Sequence, residues 1–144
     1  VAVVFKRILV ATDGTESALR AVRLAVELAL ASAAELLLVT VVDVPELVAL
    51  RLNVDRGGLE AHVERTAQKA LESSLVVLQQ ARLGAEIKVL VGSAAQAIAA
   101  EAGRVGADLV IMGRGSRDEP RALLLGTTSE RVSRQLRVPL LLVP

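Results

Sequence analysis

Two apolar rhythms alternate along this chain. Arg7-Ile-Leu-Val-Ala11 is a short apolar run closed by Thr12-Asp13-Gly14, which predicts a buried strand and a turn. From about Thr15 to Ala33 the rhythm becomes helical. Ala18, Val22, Ala25 and Ala29 share one face, and Glu16, Arg20, Arg23 and Glu27 share another. Leu36 to Val42 is again a continuous apolar run of strand length, bounded by Asp43 and Pro45. Asp43 to Gly58 has no clean period and contains Pro45, Asn53 and Gly57-Gly58, which predicts a long loop. Leu59 to about Leu83 predicts a long helix, with Gly84 where a left-handed C-cap is expected. Glu86 to Val91 alternates as a third strand. Ser93-Ala-Ala-Gln96 has capping-box spacing and opens a helix to about Gly103. Leu109 to Met112 predicts a fourth strand, Thr127 to Leu136 a last helix, and Leu140 to Val143 a fifth strand.

Strands alternating with helices, and apolar runs without polar alternation, define an α/β fold: a five-stranded parallel sheet with helices on both faces. The length of 144 residues fits one domain spanning 1–144. In such sheets a ligand lies beyond the carboxyl ends of the strands, where strand order reverses. The turns after the first and fourth strands face one crevice if those strands are neighbours. The fifth strand is short and apolar on both faces. An exposed apolar edge invites pairing with the same strand of a second copy in a two-fold homodimer. Cover by the chain's own 43–58 segment is the alternative.

Composition narrows the function. Apolar residues make up 53% of the chain, yet Phe5 is its only aromatic, so no stacking platform for nucleic acid exists. A net charge of +1 gives no field toward DNA or an anionic membrane. The absence of cysteine removes disulfides, thiolate metal sites and thiol nucleophiles, and fits a reducing cytoplasm. The longest apolar stretch, Leu24 to Val42, is broken by Glu27 and Glu35, so it predicts helix then strand and not a membrane span. No signal-peptide pattern is present. His62, the single histidine, falls on a polar helix face and reads as solvated.

The chemistry concentrates in Gly113-Arg-Gly-Ser116, followed after nine residues by Gly126-Thr127. The first part leaves a strand and the second opens a helix. Both places present unpaired backbone N–H groups, and glycine lets an anion approach them. No Gly-Lys pair exists for a Walker A loop, and Asp118 stands where a dinucleotide fingerprint needs its third glycine. Gly113 and Gly115 read equally as ordinary turn residues. Thr127-Thr-Ser-Glu130 and Asp13-Gly-Thr-Glu16 both have capping-box spacing. Thr127 and Asp13 therefore read as helix starts or as ligand contacts, with Asp13 suited to ribose hydroxyls or a phosphate-bound metal. Arg114, Arg117 and Arg121 can neutralise phosphates, although Asp118 and Glu119 sit among them.

These residues resemble the universal stress protein family. The likeness runs from Lys6-Arg-Ile-Leu-Val-Ala-Thr-Asp-Gly-Thr-Glu-Ser17, through Val91-Gly-Ser-Ala-Ala-Gln-Ala-Ile98, to Arg137-Val-Pro-Leu-Leu-Leu-Val143. Its most specific part is the nucleotide signature Gly, two residues, Gly, nine residues, Gly, then Ser or Thr. Gly113 takes the first place, and Gly126 and Thr127 take the last two. The resemblance implies a Rossmann-like sandwich that dimerises and an ATP site, with Mg²⁺, formed by Ala11, Thr12, Asp13, Val41, Met112, Gly113, Arg114, Gly115, Ser116, Arg117, Gly126, Thr127 and Thr128. In that analogy Asp13 lies near ribose and adenine, and the Val41 backbone bonds the adenine edge. Gly113 to Arg117 wrap ribose and phosphates, and Gly126 to Thr128 hold the outer phosphates.

One position departs: Ser116 stands where the second glycine belongs. A positive φ there costs serine roughly 1–2 kcal/mol, or about ten- to thirtyfold in affinity. A hydroxyl bond to a charged oxygen returns about 1.5–3 kcal/mol. The expected function is a cytoplasmic, ATP-binding stress-response switch or interaction module with a protein partner of its own. The alternative is a stress-related interaction protein with a lapsed nucleotide site. No dedicated catalytic base is evident, so hydrolysis is expected to be slow or absent.

Overall fold

The computed structural model describes residues 4–44, 56–115 and 127–144. In chain order the elements are β1 (Arg7–Ala11), α1 (Glu16–Ser32), β2 (Glu35–Val42), α2 (Arg56–Ala81), β3 (Ala85–Val91), α3 (Ala94–Val105), β4 (Leu109–Gly113), α4 (Thr127–Gln135) and β5 (Leu140–Val143). The strands form one five-stranded parallel sheet in the order β3-β2-β1-β4-β5, so β1 and β4 are neighbours and the order reverses between them.

Side-chain parity along the strands divides the core in two. Ile8, Val10, Leu36, Leu38, Leu109 and Ile111 pack with Val22, Ala25, Ala29, Leu71 and Leu78 of α1 and α2. Leu9, Ala11, Leu37, Val39, Val110 and Met112 pack with Ala95, Ile98 and Ala102 of α3 and Val132 of α4. β1, β2 and β4 are apolar on both faces because a helix layer covers each face. The α1 stripe is rich in alanine: Ala18, Ala21, Ala25 and Ala29 are buried, which lets the helix sit close on β1 and β4.

Element ends differ from the sequence expectation at several places. Gly84 is not the left-handed cap of α2; Arg82 is, with φ 54°. Leu83 N–H then reaches back to Leu78 O at 3.2 Å, and both leucines join the α1/α2 core. Hydrophobic closure fixes the cap position, and the arginine accepts the left-handed geometry. Gly57 and Gly58, expected in a loop, lie in the first turn of α2, while 45–55 fall outside the described residues. Ser93 does sit at the N-cap of α3, but its side chain makes no capping bond.

At the amino end of the sheet, Asp108 accepts hydrogen bonds from the N–H groups of Lys6 (2.8 Å) and Arg7 (3.1 Å). Burial raises its carboxyl pKa, but these two amides, its own amide and the Lys6 charge outweigh that and hold it below the ordinary value. On the α3 face, the buried Glu101 pairs with Lys88 at 2.9 Å and with Arg104. No described helix is long and apolar enough to cross a membrane.

Candidate functional site

The carboxyl end of β1 is fixed by side chains as much as by the ladder. Thr12 N–H still donates to Val39 O at 2.9 Å, continuing the sheet by one bond. Its carbonyl then accepts from the Thr40 hydroxyl at 2.7 Å. Its own hydroxyl accepts from Gly14 N–H at 3.1 Å. Asp13 Oδ1 accepts from Thr15 N–H (3.0 Å) and from the Thr15 hydroxyl (2.6 Å). Thr15, not Asp13, is the N-cap of α1 and accepts from Ala18 N–H at 3.4 Å. The capping-box reading of Asp13 is therefore overturned: Asp13 closes an Asx-type turn ahead of the cap. Its side chain is exposed at the mouth of the crevice.

Gly14 has two separate needs for glycine. Its φ is +84°, and a Cβ there would come within 3.1 Å of the Ala70 Cα on α2.

The exit from β4 faces this turn. Gly113 needs no unusual φ; its constraint is space. A Cβ would lie 2.5 Å from Ser17 Oγ and 2.7 Å from Ala18 N, so the missing side chain lets the first turn of α1 press on the strand. This differs from a glycine kept open for an anion. Gly115 does adopt the glycine region, with φ +114°. Between them, Arg114 N–H bonds Val143 O at 2.7 Å, extending the β4–β5 ladder past Gly113.

Helix α4 starts against the same exit. Ser129 is 2% exposed, and its hydroxyl donates to Gly113 O at 3.3 Å, with a longer contact to Arg114 O at 3.5 Å. The β4 exit and the start of α4 thus converge, joined by a serine in the first turn of that helix. Thr127 is the first residue of that helix, and the Glu130 carboxylate pairs with Arg134 at 2.7 Å. Thr128 is exposed at the same helix end.

The floor of the crevice is apolar. Ala11 and Met112, each 7% exposed, are register partners on β1 and β4. Ala11 also pairs with Val39, so half-buried Val41 extends two residues beyond it on β2. Ser116, Arg117 and Gly126 lie outside the described residues. Among the described residues the crevice offers one carboxylate (Asp13), one guanidinium (Arg114), several hydroxyls and the amides of two turns and a helix start. No group of three His, Cys, Asp or Glu that could hold a metal occurs among them. These groups are of the kind that suit an anion and hydroxyls, and no nucleophile–base pair is formed among the described residues of the crevice.

Two hydroxyls that hold backbone carbonyls, Thr40 and Ser129, escaped the sequence reading, as did the buried Ser17 packed on Gly113. Thr40 carried a usable signal, being the single polar residue in the apolar run Leu36 to Val42. Ser17 and Ser129 carried none, because serine in a first helical turn is commonplace.

A parallel α/β sheet whose strand order reverses between β1 and β4 is a doubly wound architecture, with its ligand crevice expected at that switch point. The chain belongs to the universal stress protein family, whose profile matches residues 5–144. It is 28% identical over 139 residues to universal stress protein MJ0531 of Methanocaldococcus jannaschii, covering 96% of this chain and 82% of that protein. Among solved structures, the protein MJ0577 superposes with a TM-score of 0.80 at 26% identity, over 96% of this chain and 94% of that one. A universal stress protein in complex with cAMP matches with a TM-score of 0.70 at 26% identity, over 97% of both chains.

Proposed function

We propose that this protein binds an adenine nucleotide, ATP in its working state, in the crevice between the β1 and β4 turns. The observation that carries the reading is the Ser129 bridge, which seats the start of α4 on the β4 exit. It brings the amides of a helix N-terminus beside Gly115 and the exposed Arg114, a combination suited to phosphate. The apolar floor of Ala11, Met112 and Val41 suits a base, and Asp13 at the mouth suits ribose hydroxyls. The cAMP complex of a relative at 26% identity adds support for the ligand class.

Ser116, Arg117, Gly126, Thr127 and Thr128 complete the phosphate side in this reading. Mg²⁺ would be carried by the phosphates and water, with Asp13 a carboxylate at the crevice mouth, in keeping with the ion's reluctance to give up its water shell. Nucleotide occupancy then acts as a switch on a protein partner in the cytoplasm, with one domain over 1–144 and two copies joined through β5. No base placed to activate water is evident among the described crevice residues, and turnover is expected far below the ~1–100 per second of ordinary kinases.

Calorimetry with ATP, AMP and cAMP tests the site. Wild-type protein is expected to bind, and Gly126→Glu, which sets a like charge at the phosphate corner, to lose ATP while keeping its melting temperature. Unchanged ATP affinity in that variant overturns the assigned site. Absence of binding to wild type at millimolar nucleotide favours the lapsed-site alternative.

A further inference from the structure

We infer that Thr40 is a positioning residue for the nucleoside half of the ligand, an inference that rests on the nucleotide reading above. Thr40 is 1% exposed and sits on β2 between Val39 and Val41. Its neighbours of the same parity, Leu36 and Leu38, belong to the aliphatic core against α1 and α2. A hydroxyl in such surroundings costs stability unless it is bonded, and valine would fill the same space without that cost. The hydroxyl makes one hydrogen bond, to the Thr12 carbonyl at 2.7 Å, across 28 positions of sequence.

The placement of that bond gives it a function. β1 ends at Ala11, and Thr12 N–H makes a further backbone bond to β2, at Val39 O. Past that point the chain must turn away, and the Thr12 carbonyl is held by a side chain of β2. Thr40 immediately precedes Val41, the strand end assigned to the base, and Thr12 immediately precedes Asp13, the turn assigned to ribose. Together with the Thr12 N–H bond to Val39 O, this hydrogen bond fixes the spacing of the two nucleoside contacts. It also anchors the relay beyond it, in which the Thr12 hydroxyl holds Gly14 N–H and Asp13 Oδ1 holds Thr15. The phosphate corner has its own anchor in Ser129.

Thr40→Val keeps the shape and removes the donor; Thr40→Ser keeps the donor. Calorimetry with adenosine and with AMP is the test. Thr40→Val is expected to weaken both ligands by the same factor, about tenfold for one lost buried hydrogen bond, with Thr40→Ser restoring most of the affinity. Amide exchange at Gly14 and Thr15 in the ligand-free variant should quicken while the strand amides keep their rates. Wild-type affinity in Thr40→Val, or a loss confined to AMP, overturns the inference and leaves the nucleotide reading standing. A lower melting temperature with unchanged adenosine affinity also overturns it, reducing Thr40 to a core residue. Wild-type protein that binds neither ligand removes the nucleotide reading itself, and this inference with it.

Discussion

Gly113 shows how tightly the β4 exit is built. A methyl group there meets the Ala18 backbone nitrogen at 2.7 Å and the Ser17 carbonyl carbon at the same distance, and neither can rotate away. Gly113→Ala should cost about 1–3 kcal/mol in urea unfolding, the ordinary range for overpacking. Gly84 is the contrast: nothing lies within 4 Å of a Cβ there, and its φ is not in the glycine region. Gly84→Ala should therefore stabilise the protein by about 0.4–1 kcal/mol through the unfolded chain. Both glycines stood out in the sequence as punctuation; spacing misplaced the cap at Gly84 and gave no sign of the α1 contact at Gly113. Gly84 looked like a helix cap, but the Leu78–Leu83 closure put the left-handed residue at Arg82. Gly113 looked like an opening for an anion, and the approach of α1 explains it first.

At the scale of elements, β1 and β4 are tied at their amino ends by Asp108. Its carboxylate accepts from two β1-side amides and has a folded pKa below the ordinary value. A depressed carboxyl pKa means the folded state favours the ionised form. Its contribution is complete above the unfolded pKa of ~3.9 and disappears as pH falls through the lower folded value. Asp108→Asn should thus melt a few degrees lower than wild type at pH 7. The gap should narrow below about pH 4, and thermal scans from pH 7 to pH 2.5 check it. A gap that stays constant across that range would show that charge is not what Asp108 contributes. The elements themselves were largely legible: β1 and β5 fall where the apolar runs placed them, and α1 buries the stripe given by its period. Element ends were less legible, because caps depend on which carbonyls and leucines come within reach after packing.

For the whole molecule, β5 forms one edge of the sheet and β3 the other. β5 keeps Leu140 to Val143 half-buried, with Leu140 and Leu142 facing one core and Leu141 and Val143 the other. That apolar edge is the surface through which we expect two copies to pair. The alternative cover is the 43–58 segment; its start at Asp43 follows β2 on the β3 side of the sheet, and 45–55 lie outside the described residues. Sedimentation velocity at micromolar concentration should give a dimer, and a monomer there rules out β5 pairing as the main state. What the sequence determined alone is the layer order. Continuous aliphatic runs of strand length between turn residues read as strands covered on both faces, and the intervening 3.6-residue stripes as the helices that cover them. What tertiary structure decided is the neighbour relation of β1 and β4, the descent of α1 onto Gly113, and the reach of Thr40 and Ser129 across 28 and 16 positions. Periodicity records which face of an element is buried. It carries no record of which buried hydroxyl will meet which carbonyl, since that depends on strand order and register, which appear only when the sheet closes.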